Sequence, residues 1–289
     1  VSTPQLFTDP AAWQARCLAA RDAGARLALV PTMGYLHAGH ASLLREARRR
    51  ADEGGRPGLA LASIFVNPTQ FGPAEDLARY PRDLERDLAT CAEAGIDAVL
   101  APADPATMFA PGHQTWVTVE RASQGLCGER RPGHFRGVAT VVAKLFNLTR
   151  PHVALFGEKD YQQLAVLKAM ARDLAFGVEV AGMPIVREPD GLALSSRNAY
   201  LSPDERRRAL ALSQALAEVR QAAAGGTRDA AALAARARAR LEAAGARVDY
   251  VELVHPETLA PVGTAAPGTV LLLAAWLGTT RLIDNAVLP

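Results

Sequence analysis

Five short apolar runs constrain this chain most: RLALVP at 26–31, GLALASIFV at 58–66, IDAVLAP at 96–102, HVALFG at 152–157 and VEVAGM at 178–183. Each is rich in Val, Leu, Ile or Ala, and stretches of helical period lie between them, which is the pattern of βαβ units around a parallel sheet. The spacing predicts helices near 11–23, 40–52, 82–94, 136–149 and 160–174, the first opened by Asp9 as a cap with Pro10 in its first turn. Residues 1–185 are therefore expected to form an α/β domain with a doubly wound, Rossmann-like parallel sheet. In such sheets ligands gather beyond the carboxyl ends of the strands.

The texture changes after residue 185. Long Ala/Arg/Leu segments at 203–223 and 228–244, separated by Gly225 and Gly226, keep helical spacing of their apolar positions and predict amphipathic helices. DYVELV, TVLLLAAWL and TRLIDNAVL predict three short strands. Residues 186–289 are thus expected to form a smaller α+β domain. The apolar run at 269–278 falls short of the roughly 20 residues a membrane helix needs and is read as a buried strand.

Charge and cysteine usage exclude several classes. The 32 basic and 30 acidic residues leave a net charge of +2, so no basic field favours a nucleic-acid partner. The three cysteines, Cys17, Cys91 and Cys127, are odd in number and form no CxxC pair, which argues against a disulfide framework or a zinc site. The polar start VSTPQLFTDP shows no basic region followed by an apolar run. A cytoplasmic location without a membrane anchor is expected.

The stretch PTMGYLHAGH at 31–40 joins a strand end to a helix expected to begin near Gly39. Free backbone N–H groups and the helix dipole favour an anion there. Gly39 lets backbone come close to a phosphate, and the imidazoles of His37 and His40 can donate to phosphoryl oxygens as charge moves in a transition state. A zinc pair is the weaker reading, since no third ligand lies at suitable spacing; plain loop decoration is stronger than zinc. Further polar clusters also follow strands or turns: Asn67 and Gln70 in FVNPTQF, Gly157 to Asp160 with Gln162 and Gln163 in FGEKDYQQ, and Ser195, Ser196 and Arg197 in LALSSRNAYL.

PTMGYLHAGH, FVNPTQF, GHFRGV, FGEKDYQQ and LALSSRNAYL, in this order and spacing, resemble the pantoate–β-alanine ligase (pantothenate synthetase) family of the HxGH nucleotidyltransferase superfamily. The likeness runs through nearly the whole chain, and five ordered motifs are far more specific than HxGH alone. The resemblance implies an ATP-dependent ligase that joins pantoate to β-alanine through a pantoyl adenylate, releasing AMP and pyrophosphate, with Mg²⁺ helping to neutralise the triphosphate. It also implies a homodimer. The segment DGLALSSRN sits at the domain junction, and the C-terminal domain is expected to act as a lid hinged at Gly191 that orders when ATP binds.

Carried over residue by residue, the resemblance implies that Met33, Gly34, Tyr35, Leu36, His37, Ala38, Gly39 and His40 line the ATP site, with His37 and His40 on the phosphates and His40 the foremost catalytic donor. Gly157, Glu158, Lys159 and Asp160 would contact the nucleotide, with Lys159 on phosphate as the third catalytic residue beside His37 and His40, and Asp160 on ribose hydroxyls. Val186 would meet adenine, and Leu194, Ser195, Ser196 and Arg197 would close over the phosphates. Gln70 and Gln163 would hold pantoate, Gln70 also lying near β-alanine. Neutral amides suit that task, because they orient hydroxyls and a carboxylate without quenching the carboxylate as a nucleophile.

In RDLERDL, Asp83, Glu85 and Asp87 offer either an acidic cluster for Mg²⁺ or an exposed helix face, and the exposed face is preferred. No protein ligand for a metal is assigned. His134 and Arg136 of GHFRGV line a cavity or fix a loop, with no catalytic role assigned, and HPETLAPV near His255 reads as a structural turn. A nucleotidyltransferase that leaves AMP on its product would keep the histidine motif but would not need Gln70 and Gln163. An RNA-binding module would call for a basic stripe.

Overall fold

The alternation of apolar runs with helices is realised as a parallel sheet. The computed structural model describes residues 2–55, 58–72, 77–78 and 80–289. Six strands, β1 (Gln5–Phe7), β2 (Leu27–Thr32), β3 (Leu59–Ile64), β4 (Ala98–Leu100), β5 (Val153–Gly157) and β6 (Glu179–Met183), pair in the order β1-β4-β3-β2-β5-β6, every pair parallel. Six helices come with them: α1 (Pro10–Asp22), α2 (Ala38–Ala51), α3 (Leu84–Glu93), α4 (Leu126–Arg130), α5 (His134–Thr149) and α6 (Tyr161–Asp173).

Side chains of β2 alternate between the two faces of the sheet. Ala28 and Val30 join Leu43, Leu44 and Ala47 of α2 in one buried cluster with Ala60, Ala62, Val99, Val153 and Leu155. The neighbouring Leu27 and Leu29 are fully buried as well. Strands covered on both faces read as unbroken apolar runs, which is why the sequence showed them plainly. At one of these helices, Trp13 of α1 donates its indole N–H to Thr149 Oγ1 of α5 at 2.9 Å, satisfying a buried donor. Asp9 caps α1 through the N–H groups of Ala11 and Ala12, as its position predicts.

The chain runs from β2 outward through β3 and β4, then returns to the other side of β2 for β5 and β6. The order of strands therefore reverses at the β2–β5 pair, where Ala28 lies opposite Val153 and Leu29 opposite Ala154. A crevice at such a reversal, beyond the carboxyl ends of the strands, is where this architecture binds ligands. The motifs PTMGYLH and FGEKD run off the carboxyl ends of β2 and β5.

The chain divides into two compact units, Val1–Gly157 with Val166–Met183, and Glu158–Ala165 with Pro184–Pro289. The second contains an antiparallel sheet of β7 (Arg247–Val254), β8 (Val270–Leu277) and β9 (Thr280–Val287) in that order. It also contains the helices α7 (Pro203–Ala209), α8 (Ala211–Ala224) and α9 (Ala230–Ala243). The single helix predicted for 203–223 is broken at Leu210. Leu212, Leu216 and Val219 of α8 and Leu233 and Leu241 of α9 pack with Leu271, Leu273 and Leu277 of β8. The run at 269–278 is thus a central strand, and among the described residues no helix is long and apolar enough to cross a membrane. The segment Glu158–Ala165 groups with this unit because Asn285 Nδ2 of β9 donates to the carbonyls of Glu158 at 2.8 Å and Lys159 at 3.0 Å, and Tyr161 OH donates to Pro256 O at 3.3 Å.

Candidate active site

The turn after β2 is built around a buried carboxylate. Asp87, on the first turn of α3 and 1% exposed, accepts the backbone N–H groups of Tyr35 and Leu36, each at 2.7 Å. Holding both amides forces a tight reversal: Gly34 has φ +82° and Tyr35 φ +52°. A Cβ at Gly34 would sit 2.8 Å from Asp87 Oδ2 and 3.0 Å from Ile64 Cγ2, so glycine is required twice over. The exposed helix face expected for RDLERDL is therefore wrong at Asp87. Its place in the helical period is the same either way, but the amides that bury it lie some fifty residues upstream. Asp83 is the cap of α3, accepting Arg86 N–H at 3.1 Å.

The same turn delivers His37 as the cap of α2, one residue earlier than expected. His37 Nδ1 accepts Gly39 N–H at 3.1 Å, and His40 Nδ1 accepts His37 N–H at 3.3 Å, a reciprocal capping box made by two imidazoles. The rings lie 4.1 Å apart between centroids, tilted by 40°. A ring nitrogen that accepts from an N–H carries no proton, so each imidazole keeps its proton on Nε2. Backbone geometry thus fixes the tautomer of both rings as Nε2–H donors.

The turn after β3 carries Gln70, which is 8% exposed. Asn67 accepts from Thr69 N–H through Oδ1 and donates through Nδ2 to Gln70 Oε1 at 3.0 Å and to Gly137 O at 3.2 Å. The Gln70 amide is thereby oriented oxygen toward Asn67, and its Nε2 lies 3.1 Å from Met33 Sδ. GHFRGV supplies the support: His134 Nδ1 lies 2.9 Å from Gln70 O, and a Cβ at Gly137 would meet Thr69 O at 2.4 Å. His134 and Gly137 therefore fix the Gln70 turn, the loop-fixing alternative of the two open for that motif, while Arg136 stacks on Trp116 with its guanidinium carbon 4.8 Å from the ring centre. Within the first unit the structure brings Met33, Gln70 and Asn67 together, and separately couples His37 to His40.

Within the second unit, Glu158, Lys159 and Asp160 form a short 3-10 turn leading into α6, with Lys159 half-buried and Asp160 exposed. Gln163 is half-buried on the first turn of α6, next to the buried Gln162. Burial and the nearby carboxylates of Glu158 and Glu257 push the Tyr161 hydroxyl pKa up. Val186 and Leu194 face each other across a hairpin, Leu194 N–H donating to Val186 O at 2.9 Å. Ser195 caps the turn Ser196–Tyr200 through Arg197 N–H at 3.3 Å, and Arg197 is exposed. Behind this hairpin Glu188 accepts from Asn198 Nδ2 at 2.8 Å and from both terminal nitrogens of Arg206, whose guanidinium holds the Glu188 carboxyl below its ordinary range. His255 accepts the N–H groups of Glu257 and Thr258 and is a turn former, as its surroundings suggested.

All three cysteines are buried, free thiols. Burial pushes Cys17 and Cys91 up to about 12, so neither supplies a thiolate at neutral pH. Among the described residues no cluster of three or more His, Cys, Asp or Glu side chains is placed to hold a metal ion.

The family model of pantoate-beta-alanine ligase matches residues 5–287. The chain belongs to the pantoate-beta-alanine ligase family. It is 82% identical over 289 residues to the pantothenate synthetase of Anaeromyxobacter dehalogenans (strain 2CP-C), covering 100% of both chains. The crystal structure of pantothenate synthetase from Thermus thermophilus superposes with a TM-score of 0.90 at 46% identity, covering 99% of this chain and 100% of that one. A third family member, the crystal structure from Francisella tularensis complexed with Beta-gamma ATP and Beta-alanine, superposes at 0.78 and 28% identity over 98% and 97% of the two chains. The likeness carried by the five motifs is thus membership of the pantoate-beta-alanine ligase family along the whole chain. Two supports of these motifs escaped sequence reading: Asp87 and the Asp284–Asn285 pair, all distant in sequence from what they hold.

Proposed function

We propose that this chain condenses pantoate with β-alanine, driven by ATP, through a pantoyl adenylate. A pantoate carboxylate oxygen attacks the α-phosphorus of ATP and pyrophosphate leaves. The β-alanine amine then attacks the carbonyl carbon, loses a proton and expels AMP, leaving the amide. Activation is needed because a carboxylate oxygen is a poor leaving group, whereas AMP leaves readily from a mixed anhydride.

The observation that carries this reading is the histidine pair at the start of α2. Both Nδ1 atoms accept backbone N–H groups, which makes both Nε2–H groups donors of fixed direction at a helix N-terminus. Donors preset in this way stabilise charge developing on phosphoryl oxygens without having to reorganise. His37 and His40 take the phosphates, His40 foremost; Met33 to Leu36, Ala38 and Gly39 line the nucleotide. Gly157, Glu158, Lys159 and Asp160 contact the nucleotide, Val186 meets adenine, and Leu194, Ser195, Ser196 and Arg197 take the phosphates. Gln70 and Gln163 orient pantoate. Carboxylate and triphosphate repel at close range, so Lys159, Arg197 and the magnesium of MgATP spread the charge. Mg²⁺ enters with the nucleotide: Asp87 is committed to backbone amides and Asp83 to a helix cap. The enzyme is proposed to work in the cytoplasm as a homodimer.

Sequential addition tests the reading. ATP, Mg²⁺ and pantoate together release pyrophosphate and not AMP; later β-alanine releases AMP and yields pantothenate. Absence of pyrophosphate with pantoate present contradicts the ligase reading, and pyrophosphate without amine-dependent AMP release favours a transferase that leaves AMP on its product.

A further inference from the structure

Near the end of β9 two adjacent buried polar residues, Asp284 and Asn285, are 3% and 5% exposed. Successive strand residues project to opposite faces of a sheet, so the two side chains reach different neighbours. Asp284 takes a bidentate contact from Arg187, Oδ2 from one terminal nitrogen at 2.7 Å and Oδ1 from the other at 2.9 Å. Arg187 also donates to Gly191 O at 3.1 Å and pairs with Ala193, so this guanidinium braces the hairpin on which Val186 and Leu194 sit. Asn285 directs its amide nitrogen at two successive carbonyls, those of Glu158 at 2.8 Å and Lys159 at 3.0 Å. Its own N–H donates to Asp284 Oδ1 at 2.8 Å, which ties the two contacts together.

An ion pair whose carboxylate is buried while its guanidinium stays partly exposed, with a buried amide beside it, contributes less to stability than to fixing geometry. Two donors on consecutive carbonyls set the orientation of a turn as well as its location. Lysine needs that service, since its ammonium sits at the end of a flexible four-carbon stem.

We propose that Asn285 is a positioning residue for adenylate formation. It holds the Glu158–Asp160 turn so that Lys159 meets the triphosphate in register with the hairpin that Asp284 and Arg187 brace. The inference rests on the reading of Lys159 as a phosphate contact.

A double-mutant cycle on the full chain tests both claims separately. Adenylate formation is followed by pyrophosphate release from ATP and pantoate, and amide formation by supplying pre-made pantoyl adenylate with β-alanine. Asn285→Ala is expected to slow the first step by about 10²-fold, the scale of a misplacement near 1 Å, and to spare the second. Lys159→Ala is expected to do the same, and the double variant to be no slower than Lys159→Ala alone, because Asn285 acts through Lys159. A parent-like Lys159→Ala overturns the phosphate-contact reading and the inference with it. A slow Lys159→Ala beside a parent-like Asn285→Ala, or losses that multiply in the double variant, overturns the inference and leaves the reading standing. If Asn285→Ala loses both half-reactions equally, Asn285→Ser, which keeps one donor, is measured in its place; equal loss there also overturns the inference.

Discussion

Asp87 of α3 and Leu36, 51 positions apart, are joined by a 2.7 Å hydrogen bond from the Leu36 N–H to a carboxylate oxygen, and the Tyr35 N–H takes the other oxygen at the same distance. That one carboxylate sets the reversal preceding His37, and so the start of α2 and the direction of both imidazoles. Asp87→Asn keeps the size of the side chain but turns an NH₂ group toward one of the two amides. Leaving a buried donor unsatisfied costs about 2 kcal/mol, to be read as a lowered urea midpoint together with slower pyrophosphate release. The dependence of rate on Mg²⁺ concentration is expected to keep the parent midpoint. Parent-like stability with a shifted Mg²⁺ midpoint would restore the metal-binding reading of the acidic cluster.

His40→Ala removes one Nε2–H donor and, with it, the acceptor of the His37 N–H. Adenylate formation is expected to fall by about 10²-fold or more, the usual loss for one charge-stabilising donor. Amide formation from pre-made pantoyl adenylate is expected to fall far less. Equal loss in both half-reactions would mean that His40 serves the fold of the turn and not the phosphates.

Gln163→Glu tests the use of neutral amides for pantoate. The new carboxylate would face the substrate carboxylate in a half-buried place, where like charges repel or one group takes up a proton. Pantoate affinity is expected to fall sharply near neutral pH and to recover in part as pH falls, while ATP affinity stays. Gln163→Ala has no group to titrate and shows no such recovery. Calorimetric titration across pH compares the two, and parent-like pantoate binding by Gln163→Glu would remove Gln163 from the site.

Acid stability carries a separate signature at His152. Its Nδ1 accepts the Leu27 N–H at 3.0 Å at the start of β2, and burial, with help from the Arg21 and Arg26 charges, lowers its pKa below the ordinary 6.5. The native state therefore binds fewer protons here than the unfolded chain. The stabilisation is complete above pH 6.5 and is lost as pH falls from there through the lowered folded value. His152→Gln, which cannot titrate, is expected to show a shallower fall of the urea midpoint as pH drops below 6.5. Equal slopes would contradict the assignment.

Much of the fold was legible because strands buried on both faces announce themselves as apolar runs, and because Asp9 caps α1 where local sequence, with Pro10 after it, says it can. What escaped was short or long-range. β1 has three residues, too few to show a period. Leu210 interrupts a helical pattern that continues on both sides of it. Asp87 sits in helical register whether exposed or buried, and Asp284 and Asn285 read only as part of a strand, since the carbonyls that Asn285 holds lie 127 and 126 positions upstream. Motifs could be found along the chain, but the side chains that aim them could not.

Oxygen transfer tests the adenylate most directly. If the pantoate carboxylate attacks the α-phosphorus, one of its oxygens stays with phosphorus when the amine displaces AMP. Pantoate labelled with ¹⁸O in the carboxylate is turned over with ATP, Mg²⁺ and β-alanine, and AMP is analysed by mass spectrometry. The account predicts one labelled oxygen in AMP per amide formed and none in pyrophosphate. Amide formation with unlabelled AMP would contradict it.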